Sequence, residues 1–221
     1  MTRCLLAFAI WLLAFRASAV ALEFSVHEND SATESAILAK GSIDNEDAFR
    51  FAAYLAKLPA KSTTTLYFDS TGGSVRGAMA LGREIFKSKV RTAVVGSAKC
   101  NSACTLAFMA GRDKATDKSY RLKESQSRLS FHHFVPVLQD KQYTNSDAAL
   151  EEQNAQKMVF DLTVYFDEIA ADFDVLWYSL RQKEPYVLRN EEALGLGIHV
   201  RDAQTKELVS ADDYRRRMGK F

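Results

Sequence analysis

Cysteine is scarce in this chain of 221 residues, with three copies at Cys4, Cys100 and Cys104. That is too few for a small disulfide scaffold, so the fold must rest on a conventional apolar core. Proline is equally scarce, at Pro59, Pro136 and Pro185, and no segment is low in complexity. This excludes a Pro-rich linker and a repeat architecture. Net charge is nearly absent, with 29 Lys and Arg against 28 Asp and Glu. A chain so balanced lacks the electrostatic footprint of a nucleic-acid binder, and none is expected as a partner. Of the four histidines, His27 and His199 have no ligand spacing, and His132 and His133 are adjacent. With no Cys-x-x-Cys either, no metal site is read and no cofactor is expected.

No apolar run reaches the roughly 20 residues that a membrane helix needs. The longest is at the start, in "MTRCLLAFAIWLLAFRASAV". A basic residue (Arg3), an apolar stretch from Cys4 to Phe15 and the small residues Ala17, Ser18 and Ala19 follow in order. That is the layout of a cleavable secretory leader over 1–19. The expectation is therefore an exported protein, periplasmic or secreted. Removing Arg3 and Arg16 with the leader leaves 27 basic residues against 28 acidic, a net charge of −1. It also leaves two cysteines, Cys100 and Cys104, in an oxidising compartment. The remaining chain, 20–221, is of a size that one domain fills, with its core expected over about 36–200.

Two periodicities alternate along that chain. "ESAILAKGSI" reads as a strand. "DNEDAFRFAAYLAKLP" reads as a helix, with Asp44 or Asn45 as N-cap and Ala48, Phe51, Ala52 and Leu55 on one face. "TTTLYFDS" (63–70) is rich in β-formers, "TGG" turns the chain, and "SVRGAMALGREIFKSK" is helical again. "VRTAVVGS" (90–97) is a further strand, followed by "CNSAC" and a small-residue helix over about 102–110. "SYRLKESQSRLSFHHFV" offers two short strands. A long helix is expected over about 146–171, with Ala155, Met158, Val159, Leu162, Phe166 and Ile169 spaced for burial. A helix over 175–181, then "RNEEALGLGIHV" leading into a late strand, and a terminal helix over about 210–221 complete the reading. Strands alternating with helices predict an α/β domain with a mostly parallel sheet.

Three segments carry residues that acyl-transfer chemistry needs: a nucleophile, a base, and two backbone N–H groups for the oxyanion. Ser102 stands where a loop meets a helix N-terminus, at the positive end of the helix dipole. Serine is also among the commonest N-caps. In "FDSTGGSV", Gly72 and Gly73 leave backbone N–H groups unobstructed, as an ordinary tight turn would too. In "SRLSFHHFVP" the two histidines point to opposite faces of a probable strand, so one of them at most faces a given site. A strand histidine is commonly structural.

In this order the segments resemble the proteolytic subunit of the Clp protease and its ClpP/crotonase-like superfamily, from about residue 36 to 200. "DSTGGSV" is similar to the family's Ser-Pro-Gly-Gly turn, with Thr71 replacing the proline. "NSACTLAFMAG" is similar to the family's nucleophile helix, with Ser102 nine residues before Gly111. "SRLSFH" matches the family's Ser-Arg-apolar-His strand at His132. "EEALGLGIHV" resembles its late Glu-Ala-…-Gly-Leu segment. The resemblance implies repeated ββα-type units, Ser102 as nucleophile, His132 as general base, and Gly73 and Ala103 as oxyanion donors. It also departs in one place: the family's acidic triad position falls on Pro185, with Glu184 adjacent. Some relatives pair serine with lysine, and Lys99 is the lysine close in sequence. Cys100 and Cys104 flank Ser102 and are read either as a bridge across this turn or as two packed thiols.

The resemblance thus implies a serine peptidase acting on peptides or unfolded chains and a homo-oligomer, while the leader implies export, away from ATP, where an ATPase partner is not expected. Two rivals stand beside it. A non-catalytic binding or scaffold protein on the same fold is favoured by Pro185. An acyl-CoA enzyme of the crotonase branch is disfavoured by export and by the Ser102 and His132 match.

Overall fold

In the segment Thr63–Gly73 (β3) successive side chains part to opposite faces, as the period of two requires. Leu66 and Phe68 enter the main core, whereas Tyr67 joins a small cluster with Ala36, Ala93 and Leu122 on the other face. The computed structural model describes residues 20–132, 144–181 and 185–210. The expected leader, the expected terminal helix from 211 onward, His133 and Glu184 lie outside the described residues.

The elements run β1 (Glu23–Val26), β2 (Glu34–Ile43), α1 (Asp47–Leu55), β3, α2 (Val75–Lys87), β4 (Arg91–Val94), β5 (Lys99–Asn101) and α3 (Ala103–Phe108). They continue with β6 (Arg121–Glu124), β7 (Arg128–Phe131), α4 (Asn145–Glu168), α5 (Asp174–Arg181), β8 (Tyr186–Val187), α6 (Asn190–Gly195), β9 (His199–Arg201) and β10 (Leu208–Val209). Among the described residues the strands form one curled, mixed sheet, and six of its nine pairings are parallel. The expected α/β class and mostly parallel sheet are what the chain adopts.

The sheet divides at β3. One edge of β3 takes β2 along its length, with a register shift between Gly41 and Ser42. The other edge is shared: β4 pairs with Thr65–Tyr67, and β5 pairs farther along, at Ser70. One wing therefore runs β4-β6-β9-β10 and the other β5-β7-β8. The second wing carries both "CNSAC" and "SRLSFH".

Helix ends and faces refine the expectations. α1 begins after Glu46, one or two residues later than the expected cap at Asn45 or Asp44, and Glu46 makes no side-chain cap bond. Asp47 instead turns back, its carboxylate accepting from Asp44 N–H at 2.7 Å, which closes the turn before the helix. α2 is capped by Ser74, whose hydroxyl accepts from Gly77 N–H. In α4, Leu162, Phe166 and Ile169 are buried as expected, but Ala155 and Val159 are exposed. The apolar spacing is real, yet among the described residues nothing covers the first half of the helix. Tyr165, not among the expected core residues, is fully buried instead. No helix among the described residues is long and apolar enough to cross a membrane.

Candidate active site

Ser102 sits between β5 and α3 with φ 53° and ψ −129°. L-residues rarely adopt this region because Cβ crowds the backbone, at a cost of about 1–3 kcal/mol. Strain of this kind persists only when neighbours over-determine it, and here four contacts do so. Ser102 N–H donates to Ser130 O on β7 at 2.9 Å. Ser102 O accepts from Thr105 N–H at 2.9 Å and from the Thr105 hydroxyl at 2.6 Å. The sheet comes in from the side through Gly72, where a Cβ would lie 2.6 Å from Asn101 O and 2.9 Å from Ser102 Cβ. The fourth contact is a disulfide, Cys100–Cys104, with Cα atoms 5.3 Å apart. Of the two readings of these cysteines, the bridge is the one present.

Ser102 is the N-cap of α3 by position, but its side chain makes no cap hydrogen bond. The bland role that serine commonly has at helix starts is therefore not the one it has here. α3 is buried on every side, from Ala103 to Phe108, which explains a sequence of small and apolar residues without a polar face. The Ala103 N–H belongs to the first turn, which has no intrahelical acceptor.

Gly72 and Gly73 divide the work of the turn. Gly72 (φ 98°) is buried and abuts the Ser102 elbow, and a Cβ there would also lie 3.1 Å from Ala103 N. Gly73 (φ 143°) is exposed and backs onto Ile43. Ser74 N–H donates to Ile43 O at 2.8 Å. Alternation along the strand then turns the preceding amide, Gly73 N–H, to the opposite edge, where β5 and α3 lie. The Ser42 hydroxyl donates to Gly72 O at 3.1 Å and fixes the peptide between the two glycines.

His132 follows the last residue of β7 and is half-buried. Asn101 and Ser130 face each other in the β5–β7 register, and the Ser130 hydroxyl donates to Asn101 Oδ1 at 2.5 Å. By the alternation of strand side chains, His132 belongs to the Ser130 face, opposite the core residues Leu129 and Phe131. The residue that anchors the Ser102 amide thus lies two positions from His132. On the other edge of β7, β8 pairs Ser130 with Val187 and Phe131 with Tyr186. Continuing that register sets Pro185 opposite His132. Pro185 itself carries no carboxyl group, and Glu184 lies outside the described residues.

Lys99, two residues before Asn101 on β5, shares its face by the period of two. Lys99 is exposed and lines a groove of about 580 Å³ with Lys40, Ser42, Asp69 and Thr71 on the outer face of the sheet. His27 stacks on Tyr67 with ring centroids 4.0 Å apart, and His199 packs against Tyr120. Burial lowers the pKa of both imidazoles. Among the described residues no group of three His, Cys, Asp or Glu side chains gathers as a metal set.

A family model described as Clp protease matches residues 26–170. The chain belongs to the Clp protease family. The match spans β2 to α4 and includes Gly73, Ser102, Ala103 and His132; it ends before Pro185. Membership in the Clp protease family points to a peptidase at the level of the family, whose members bind peptide substrates and form oligomers. Among curated proteins, none matches the chain.

Sequence reasoning singled out Ser102, His132, Gly73 and Ala103; the structure sets Ser102 and Ala103 against Gly72, the neighbour of Gly73, and anchors Ser102 to Ser130, two residues before His132. Sequence reasoning missed Gly72 as the surface against which the elbow packs, and the Ser130 carbonyl as its anchor. A parallel register between strands remote in sequence leaves no local signal. The one hint was the polar parity of Asn101, Ser130 and His132.

Proposed function

We propose that this protein is an exported serine hydrolase of the Clp protease family that cleaves peptide bonds through a Ser102–His132 pair. The observation that carries the reading is the backbone of Ser102. It is held in a costly conformation, makes no cap bond, and is anchored to the strand that leads to His132. In the reaction, His132 takes the proton from Ser102 Oγ as the oxygen attacks the scissile carbonyl. Gly73 N–H and Ala103 N–H receive the developing oxyanion. Collapse expels the amine, which takes the proton from His132, and leaves an acyl-serine. A water molecule, deprotonated by the same imidazole, attacks the acyl group, and the returned proton restores Ser102.

The family's acidic triad position falls on Pro185, so a carboxylate that orients His132 would come from another position. In a full triad, replacing the orienting carboxylate by an amide costs about 10⁴-fold in kcat, so the group that orients His132 sets the rate of turnover. The same proline supports the second reading, a binding protein that keeps the fold without catalysis. Substrates are peptides or unfolded chains, and outside the cytoplasm an ATPase partner is not expected. A homo-oligomer is expected, and the exposed Phe160 and Val164, one turn apart on α4, suit such a contact.

Treatment of the chain from Val20 onward with a fluorophosphonate decides between the readings. The hydrolase predicts covalent labelling that is lost in Ser102→Ala, falls at least a hundredfold in His132→Ala, and is largely kept in His133→Ala. Absence of labelling at any pH between 6 and 9 would leave the binding protein standing.

A further inference from the structure

We infer that Cys100 and Cys104 are positioning residues, and that their disulfide sets the Ser102 elbow so that the site forms in the oxidised chain and stays unformed in the dithiol chain. This rests on the reading of Ser102 as nucleophile. The bridge closes a ring over Asn101, Ser102 and Ala103, the whole elbow and nothing else. One end is fixed, because Cys100 pairs with Ser70 on β3 and with Leu129 on β7. The other end, Cys104, is the second residue of α3, a helix of six residues and so too short to hold itself. Between them Ser102 keeps a left-handed φ that an unconstrained chain abandons. The remaining restraints are three hydrogen bonds and the Gly72 contact, and each of them already requires the elbow to be in place.

Both cysteines are wholly buried, which decides how the device works. A sulfur that solvent cannot reach is not attacked by a thiolate while the protein stays folded. The bond is therefore set once, during folding, rather than toggled afterwards. Two thiols are oxidised to one disulfide, and an oxidant of the protein-disulfide class accepts the two electrons and two protons and leaves as a dithiol. A chain folding in a reducing compartment keeps its thiols and has no formed site. Proteolysis is thereby confined to the molecule after export.

The test refolds the chain from Val20 onward either with a glutathione redox buffer or with a phosphine reductant, and adds the double variant Cys100→Ser/Cys104→Ser. Three readouts are taken: the rate of fluorophosphonate labelling, amide hydrogen exchange by peptide, and far-UV circular dichroism. The expected result is labelling at least tenfold slower in the dithiol and double-variant forms, with faster exchange confined to residues 100–105 and an unchanged dichroism spectrum. Reoxidation of the dithiol form restores the rate, and phosphine added to the folded, oxidised form leaves it unaltered for hours. Equal labelling and equal exchange in all forms overturn the inference, as does loss of dichroism, which would make the bridge a staple of the whole fold. If no form is labelled, the hydrolase reading falls while the exchange pattern still decides the role of the bridge.

Discussion

At the scale of the residue, Ser102 presents a conflict between stability and chemistry. Its φ of 53° and ψ of −129° disfavour any side chain, and a glycine there would release the strain. Relief of about 1–3 kcal/mol is offset by the entropy that glycine loses on folding, about 0.5–1 kcal/mol, so Ser102→Gly is expected to gain about 1 kcal/mol over Ser102→Ala. Urea denaturation of the two variants, both inactive, measures the difference without interference from turnover. Equal midpoints would mean that the elbow is unstrained and that serine is present for an ordinary structural reason. Gly72 sits on the other side of the same conflict. Its left-handed φ and its approach to Asn101 O and Ser102 Cβ leave no room for a methyl group, and this explains the glycine pair better than the need for a turn does.

At the scale of the element, how helices hold the elbow explains both what the sequence revealed and what it concealed. β2 and β3 were legible from runs of β-forming apolar residues that bury both faces, and α2 from one regular apolar face over 13 residues. The short strands β1, β5, β8 and β10 were not, because two to four residues carry no period and exist only through their partners. For α4 the apolar spacing is continuous, but it is the second half that packs on α2 and α3, and sequence periodicity cannot tell a buried stripe from a projecting one. Tyr165 was missed because its burial depends on a glycine far away. A Cβ on Gly82 would overlap the Tyr165 hydroxyl, so α2 and α4 cross there, with room for nothing larger. The hydroxyl in turn donates to Leu106 O in α3 at 2.8 Å. It joins the long helix to the helix that carries the site. Tyr165→Phe leaves that buried carbonyl without its partner and is expected to cost about 1–3 kcal/mol in chemical denaturation. Gly82→Ala is expected to cost more, since it expels the ring as well. A neutral result for Tyr165→Phe would show that Leu106 O finds water and that α4 does not brace the elbow.

At the scale of the whole molecule, the sheet that divides at β3 has to be joined again. The wing of β4, β6, β9 and β10 and the wing of β5, β7 and β8 meet where β6 turns into β7 and where α6 links β8 to β9. A buried lysine stands at that junction. Lys123, 2% exposed, donates from Nζ to Glu124 O at 3.2 Å, to Ser125 O at 3.4 Å and to Asn190 Oδ1 at 2.8 Å. All three acceptors are neutral. Burial pushes the ammonium down to about 8, whereas in the unfolded chain it titrates near 10.4. Below pH 8 both states hold the proton and folding carries the full cost of desolvating the charge. Between pH 8 and about 10.4 the folded state has released a proton that the unfolded state still binds, so this group's contribution to stability rises with pH. The gain approaches about 3 kcal/mol once both states are neutral. Lys123→Met removes the titration while keeping an unbranched side chain. Urea midpoints of the wild type and the variant at pH 7.5, 9 and 10 should therefore diverge progressively in favour of the wild type. Parallel curves would mean that the ammonium is hydrated in the folded protein. The wings would then be joined here by the Asn190 amide, which donates to Ser125 O at 3.3 Å, and by the packing of Leu188, Ala193 and Val200 into one core, with no charge buried between them.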